Sequence, residues 1–169
     1  MLKRPGGTPN GMHPRAEEFK RRAAAEHGIE IDVHEFPEGT KTAADAAEAV
    51  GCSLEAIASG IALSADGELI VSVTSGANRV STDRIATLVG LEDGEASMAD
   101  PGEIKSTLGW SIGGVPPFCH ETVVPVFIDE TLMELEEVWA AAGTPEAVFP
   151  IDPETLADLA DATVADVRE

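Results

Sequence analysis

Apolar and polar residues alternate over Ile29-Glu30-Ile31-Asp32-Val33-His34-Glu35-Phe36, the period of a strand with one buried face, and Pro37 and Gly39 close it. Ahead of it, Pro14 in a first turn and Gly28 past a last turn bracket Pro14–His27 as a helix with Phe19, Ala23 and Ala24 inward. Thr42 followed by Asp45 has the form of a capping box opening an alanine-rich helix that Gly51 ends, and Ser53-Leu54-Glu55 starts a short helical turn. Apolar runs at 59–63 and 68–74 flank Asp66-Gly67, a hairpin signal. Ser81 caps a helix over 82–89, and Asp100-Pro101-Gly102-Glu103 opens another that Gly109 stops.

Beyond Gly109, residues 110–114 read as extended, and 123–129 as a strand near an edge or bulge because of Pro125. Glu, Leu and Ala over 132–142 predict helix on propensity. Ala147–Ile151 reads as strand, Asp152-Pro153-Glu154 opens a helix to Ala160, and 163–167 alternates as a last short strand. There is no internal repeat and no βαβ rhythm. The pattern predicts an α+β domain with a mixed, mostly antiparallel sheet and packed helices over 13–169, preceded by a flexible Gly/Pro-rich leader over 1–12.

At 169 residues and 43% apolar composition, the chain suffices for one core. No apolar run reaches the roughly 18 residues of a membrane span, and the amino-terminal stretch is too polar for a signal peptide, so a cytoplasmic protein is expected. Cys52 and Cys119 have neither disulfide-framework nor zinc-ligand spacing, which predicts no metal. The formal charge is −20, and the 31 acidic residues are scattered rather than massed. Such a surface suits concentrated salt, where the Debye length falls to about 3 Å at 1 M, and is read as halophilic. Six of the 11 basic residues (Lys3, Arg4, Arg15, Lys20, Arg21, Arg22) fall in the first 22 positions, either a phosphate-facing patch or a solvated helix face.

The candidate chemistry lies in Gly109-Trp110-Ser111-Ile112-Gly113-Gly114-Val115-Pro116-Pro117-Phe118-Cys119-His120. Gly113 and Gly114 allow close ligand approach, while Pro116 and Pro117 stiffen the turn and donate nothing. The remaining amides of Gly113, Gly114, Val115, Phe118 and Cys119 are suited to hold a carbonyl oxygen as an oxyanion hole does. A plain tight turn is the alternative. Cys119 and His120, adjacent in an extended segment, point apart and cannot act as a thiol and its base; Cys119 reads as a packing residue. His120 reads either as a substrate or loop contact or as a structural hydrogen-bond donor.

These motifs, with Thr42-Ala43-Ala44-Asp45-Ala46-Ala47, Ile57-Ala58-Ser59-Gly60-Ile61, Met98-Ala99-Asp100-Pro101 and Phe127-Ile128-Asp129-Glu130 in the same order, resemble the YbaK/ProX aminoacyl-tRNA deacylase family over nearly the whole chain. The resemblance implies a single α+β domain with a convoluted sheet, shared with editing domains of some prolyl-tRNA synthetases, and implies strand within 132–142. It implies hydrolysis of the ester of misacylated tRNA, free-standing or beside a synthetase, with the 3′ end of aminoacyl-tRNA as partner and neither membrane nor DNA. It places the acyl carbonyl and terminal adenosine at the Gly-x-x-x-Pro loop, here Gly113 to Pro117, with water or a group of the substrate as nucleophile, and it implies no organic cofactor. Trp110 and Phe118 are suited either to stack on adenine or to pack in the core. Thr42 faces the implied site although it also reads as a helix cap, and Asp129 reads most simply as a strand end.

The chain departs from the family at two positions. Ser59 stands where members usually carry a lysine, removing a charge-assisted contact of roughly 1.5–3 kcal/mol. Cys119 stands where glycine is commoner. Two functions follow: a trans-editing deacylase, or a non-catalytic binder of aminoacyl-tRNA or an amino-acid-like ligand.

Overall fold

The computed structural model describes residues 13–36, 42–92 and 94–169; the expected 1–12 leader and the strand end at Pro37 and Gly39 lie outside them. Helix α1 (Pro14–His27) is capped by the His13 side chain, which accepts from the Arg15 amide, and it ends at Gly28 with φ +66°. Its buried face is Ala16, Phe19 and Ala23. Ala24 is exposed rather than inward, because that face is centred on the i, i+3, i+7 row. Of the alternating run 29–36, only His34–Glu35 pairs as a strand, β1.

Helix α2 (Ala43–Val50) starts where Thr42 Oγ1 accepts the Asp45 amide at 3.0 Å, a cap worth about 1 kcal/mol. A 3-10 turn at Leu54–Ala56 leads into strand β2 (Ile57–Ala65), which hairpins into β3 (Glu68–Ser75). Asp66 and Gly67 have φ +52° and +80°, the two positive values of a type I′ turn. Helix α3 (Thr82–Leu88), capped by Ser81, precedes a three-residue strand that the sequence pattern had not signalled, β4 (Ala96–Met98). Asp100 caps helix α4 (Pro101–Leu108), which Gly109 stops with φ +84°.

The segment 110–114 is a turn rather than extended chain. The Gly114 amide donates to the Ser111 carbonyl at 3.0 Å, and Gly113 has φ +86° at the third position, as a type II turn requires. Strand β5 (Val126–Asp129) starts later than expected and lies second from the sheet edge; just before it, the Pro125 carbonyl accepts the Val71 amide at 3.0 Å. The helix expected over 132–142 is instead a 3-10 turn, Leu132–Glu134, and strand β6 (Val138–Ala141). Pairing outweighs propensity there: Val138 and Ala140 are buried, Trp139 and Ala141 half-buried, and both edges of β6 are occupied. Strand β7 (Ala147–Ile151), helix α5 (Pro153–Ala160) and strand β8 (Thr163–Ala165) complete the chain.

One mixed sheet runs β1-β7-β6-β2-β3-β5-β8, with β4 added to β2. Four of its seven pairings are antiparallel, and helices flank it, as the sequence pattern and the resemblance both predicted. Strand β3 pairs with β2 from Ala58 to Ala65, so β6 and β4 must share the other edge of β2. Strand β6 holds Ile57 and Ala58, and β4 holds Leu63, Ser64 and Ala65. Between them, residues 59–62 have no strand partner on that edge among the described residues. The sheet is split there, and the candidate site occupies the split.

Candidate functional site

A cavity of about 350 Å³ opens in this split. Its walls come from β2, the start of α2, β4, α4, β6, β7 and the loop after Trp110. The lining is uncharged, and Thr42 and Ser59 supply its only hydroxyls among the described residues. Burying a charge there without a partner costs several kcal/mol, so the space suits an uncharged group.

Gly113 and Val115 of the expected loop line the cavity. Of the five amides predicted as donors, Gly114 is already bonded to Ser111. The amides of Gly113 and Val115 donate to no described residue. The Gly60 peptide faces the split: Ala62 accepts the Ala99 amide across it at 3.1 Å, and the two-residue alternation turns the Gly60 peptide the same way. Gly60 lines the cavity and appears in the sequence only as part of a motif. A Cβ there would lie 2.6 Å from the Val115 carbonyl oxygen, so glycine is what lets the loop cross β2.

The loop is held firmly from behind. A Cβ on Gly114 would meet the Thr144 backbone at 2.6 Å, and Trp110 Nε1 donates to the Cys119 carbonyl at 2.9 Å. The Arg15 guanidinium lies 4.3 Å over the Trp110 ring and donates to the Gly109 carbonyl. Amides of Glu121 and Thr122 bond to Leu108 and Thr107, closing the loop against the end of α4.

That arrangement decides several expectations. Trp110 is fully buried, edge-on to Phe19, and Phe118 is 3% exposed between Phe19 and Phe149. Neither ring lines the cavity, so the expectation that they stack on a base gives way to their core role. Pro116 and Pro117 are buried behind the loop, and the Pro116 carbonyl lies 2.8 Å from His120 Nε2. Burial pushes the His120 imidazole below its ordinary range; the Pro116 bond opposes this and Arg22 adds to it. His120 thus donates from Nε2 to the Pro116 carbonyl and braces the loop, outside the cavity.

Cys119 is not extended: its φ is +66°, and its thiol turns toward α1. Its sulfur and the heads of Glu26 and His27 lie within 4.8 Å of one another, the one ligand-type grouping among the described residues. Glu26 is already paired with Arg22 at 2.8 Å, which competes for that carboxylate. Asp129 is fully buried at the end of β5 and accepts from the amides of Ser75 and Thr131 and from Asn78 Nδ2, so it organises backbone rather than substrate. Of the predicted residues, then, Thr42, Ser59, Gly113 and Val115 come together, with Gly114 directly behind. Ile112 and Met98, exposed at 56% and 57%, stand at the cavity wall; each belongs to a quoted motif, but neither was singled out as a site residue.

A family model described as an aminoacyl-tRNA editing domain matches residues 37–159. The uncharacterized protein YwhH of Bacillus subtilis (strain 168) is 29% identical over 131 residues, covering 77% of this chain and 82% of its own. The crystal structure of a proposed trans-editing enzyme for prolyl tRNA synthetase is 34% identical, with TM-score 0.88 over 94% of this chain and 99% of the other. The structure of hypothetical protein APE2540 shares the fold at 24% identity, with TM-score 0.79 over 89% of this chain and 99% of that one. No helix among the described residues is long and apolar enough to cross a membrane.

Proposed function

The chain belongs to the aminoacyl-tRNA editing domain family, and from that membership we propose that it hydrolyses the ester of misacylated tRNA in trans. One observation supports the reading: Gly60, Gly113 and Val115 line an uncharged cavity, and the Gly113 and Val115 amides donate to no described residue. Water adds to the acyl carbon, the developing oxyanion is held by these amides, and the carbon–oxygen bond to the ribose breaks. The proton lost by water ends on the departing ribose hydroxyl. Preorganised backbone donors of this kind account for about 10²–10³ in rate each. The reaction asks nothing of a side-chain nucleophile, which suits a cavity without a titratable side chain among the described residues. An editing site is needed where binding alone separates small apolar side chains by only about 1–3 kcal/mol.

Ser59 favours a second reading, a non-catalytic binder, since no cation lines the cavity among the described residues. Hydrolysis of alanyl-, cysteinyl-, seryl- and prolyl-tRNA in molar KCl, the solvent that the acidic surface suits, separates the two. Turnover by the wild type that Gly114→Ala abolishes without unfolding supports the enzyme. An inert wild type with an active Ser59→Lys variant establishes the binder.

A further inference from the structure

A groove of about 610 Å³ adjoins the first cavity, and Ala43, Ser59, Ile61 and Met98 line both. Where the cavity is uncharged, the groove is edged by the polar turn that follows β3. That turn is fixed by its backbone. Asp129 accepts from the Ser75 amide at 3.1 Å and from Asn78 Nδ2 at 2.9 Å, and Ser75 Oγ donates to the Glu55 carbonyl at 2.8 Å. The Asn78 amide donates to the Ser75 carbonyl at 3.0 Å, and the Arg79 carbonyl accepts the Glu169 amide at 2.9 Å.

On this fixed turn the Arg79 side chain is 82% exposed. Its ion contact is with the exposed Glu169 carboxylate at 3.9 Å, a loose surface pair that a stronger anion displaces at small cost. Among the described residues lining the two connected spaces, Arg79 is the only cation. The chain as a whole carries −20, so a phosphate approaching this cleft needs a local positive charge.

We infer that Arg79 binds the phosphodiester of the nucleotide whose acyl group occupies the cavity, with the nucleoside lying in the groove against Ile61 and Met98. This rests on the proposed ester substrate, whose acyl and nucleotide parts must enter adjoining spaces that meet at Ser59. Arg79 thereby supplies from a turn the charge that Ser59 does not carry. The guanidinium fork suits phosphate oxygens, and its anchored backbone limits the freedom lost on binding.

The test is calorimetric titration with adenosine and with adenosine 5′-monophosphate, using the wild type, Arg79→Ala and Arg79→Lys. The wild type should bind the monophosphate about tenfold more tightly than adenosine, the contribution expected of one charge-assisted contact. Arg79→Ala should erase that preference, leave adenosine affinity unchanged and keep the unfolding midpoint of the wild type; Arg79→Lys should keep part of the preference. Equal affinity for the two ligands in the wild type, no measurable binding of either, or a preference surviving in Arg79→Ala overturns the assignment. Hydrolysis of an aminoacyl ester of adenosine lacking the phosphate distinguishes the two proposals. If wild type and Arg79→Ala cleave it equally while the monophosphate has no advantage, the phosphate contact fails and the ester chemistry stands. If no ester is cleaved while Arg79→Ala loses the monophosphate preference, the contact stands and the chemistry fails.

Discussion

The carbonyl oxygen of Val115 occupies the place that a side chain on Gly60 would need, 2.6 Å from the position of its Cβ. The Val115 backbone thus packs directly against the split strand, beside the cavity that both line. Neither side has room to give: β3 holds β2 along its length, and Thr144 backs the loop at Gly114.

Gly60→Ala should therefore push the loop off β2. We expect a stability loss of about 1–3 kcal/mol, the range for overpacking, and a fall in ester hydrolysis of roughly a hundredfold as the amides leave their positions. Urea unfolding and a deacylation assay measure the two effects. A variant as stable and active as the wild type contradicts a rigid contact.

Phe118→Ala separates packing from recognition. The ring is closed in by Phe19, Phe149 and His27, so its removal should cost about 3–5 kcal/mol. At temperatures where the variant remains folded, affinity for adenosine 5′-monophosphate should stay near the wild-type value. A large loss of affinity with little change in stability would restore a stacking role.

His120 makes stability depend on pH. Burial first, and Arg22 in addition, lower its pKa against the opposing pull of the Pro116 carbonyl, so the folded chain resists protonation that the unfolded chain accepts near pH 6.5. The associated stability is present above that pH and is lost as pH falls through it toward the depressed folded value. Comparing unfolding midpoints at pH 8 and pH 5, His120→Gln should lose less stability than the wild type; equal losses would show that the imidazole ionises freely.

Cys119 should be chemically quiet. Burial foremost, then Glu26, pushes its thiol up to about 12, with Arg22 pulling the other way. At pH 8 only about one molecule in ten thousand then carries the thiolate. Iodoacetamide at that pH, followed by peptide mass mapping, should modify half-buried Cys52 well before Cys119. Because the folded value is raised, this thiol favours folding less as pH rises past 9, where the unfolded chain releases its proton first.

Caps and turns were legible in the sequence because each is a local bargain between one side chain and a few amides. Thr42, Ser81, Asp100 and Asp152 begin helices as predicted, and Asp66-Gly67 turns the hairpin. What escaped depends on distant partners. The residues 132–142 carry helix-forming composition, yet Val138–Ala141 is a strand because β2 and β7 wait on either side. The loop at 113–115 was visible as glycine and proline. Which of its amides lack a described acceptor was not visible, since that follows from Ser111 capturing Gly114 and from Thr144 standing behind it. Trp110 and Phe118 could not be told from stacking platforms in the sequence, because burial by Phe19 comes from a helix some ninety residues away.

The interruption in the pairing of β2 has an evolutionary corollary. Position 60 is held to glycine by the Val115 carbonyl, but the polar groups it gives the cleft are its peptide, so they do not depend on the identity of a catalytic side chain. Replacements at Ala46, Ala62, Ala99 or Val148 reshape the surrounding walls without touching those groups. Under the proposed reading, selectivity for the acyl side chain can then diverge among relatives of this fold while the backbone contacts to its carbonyl stay the same.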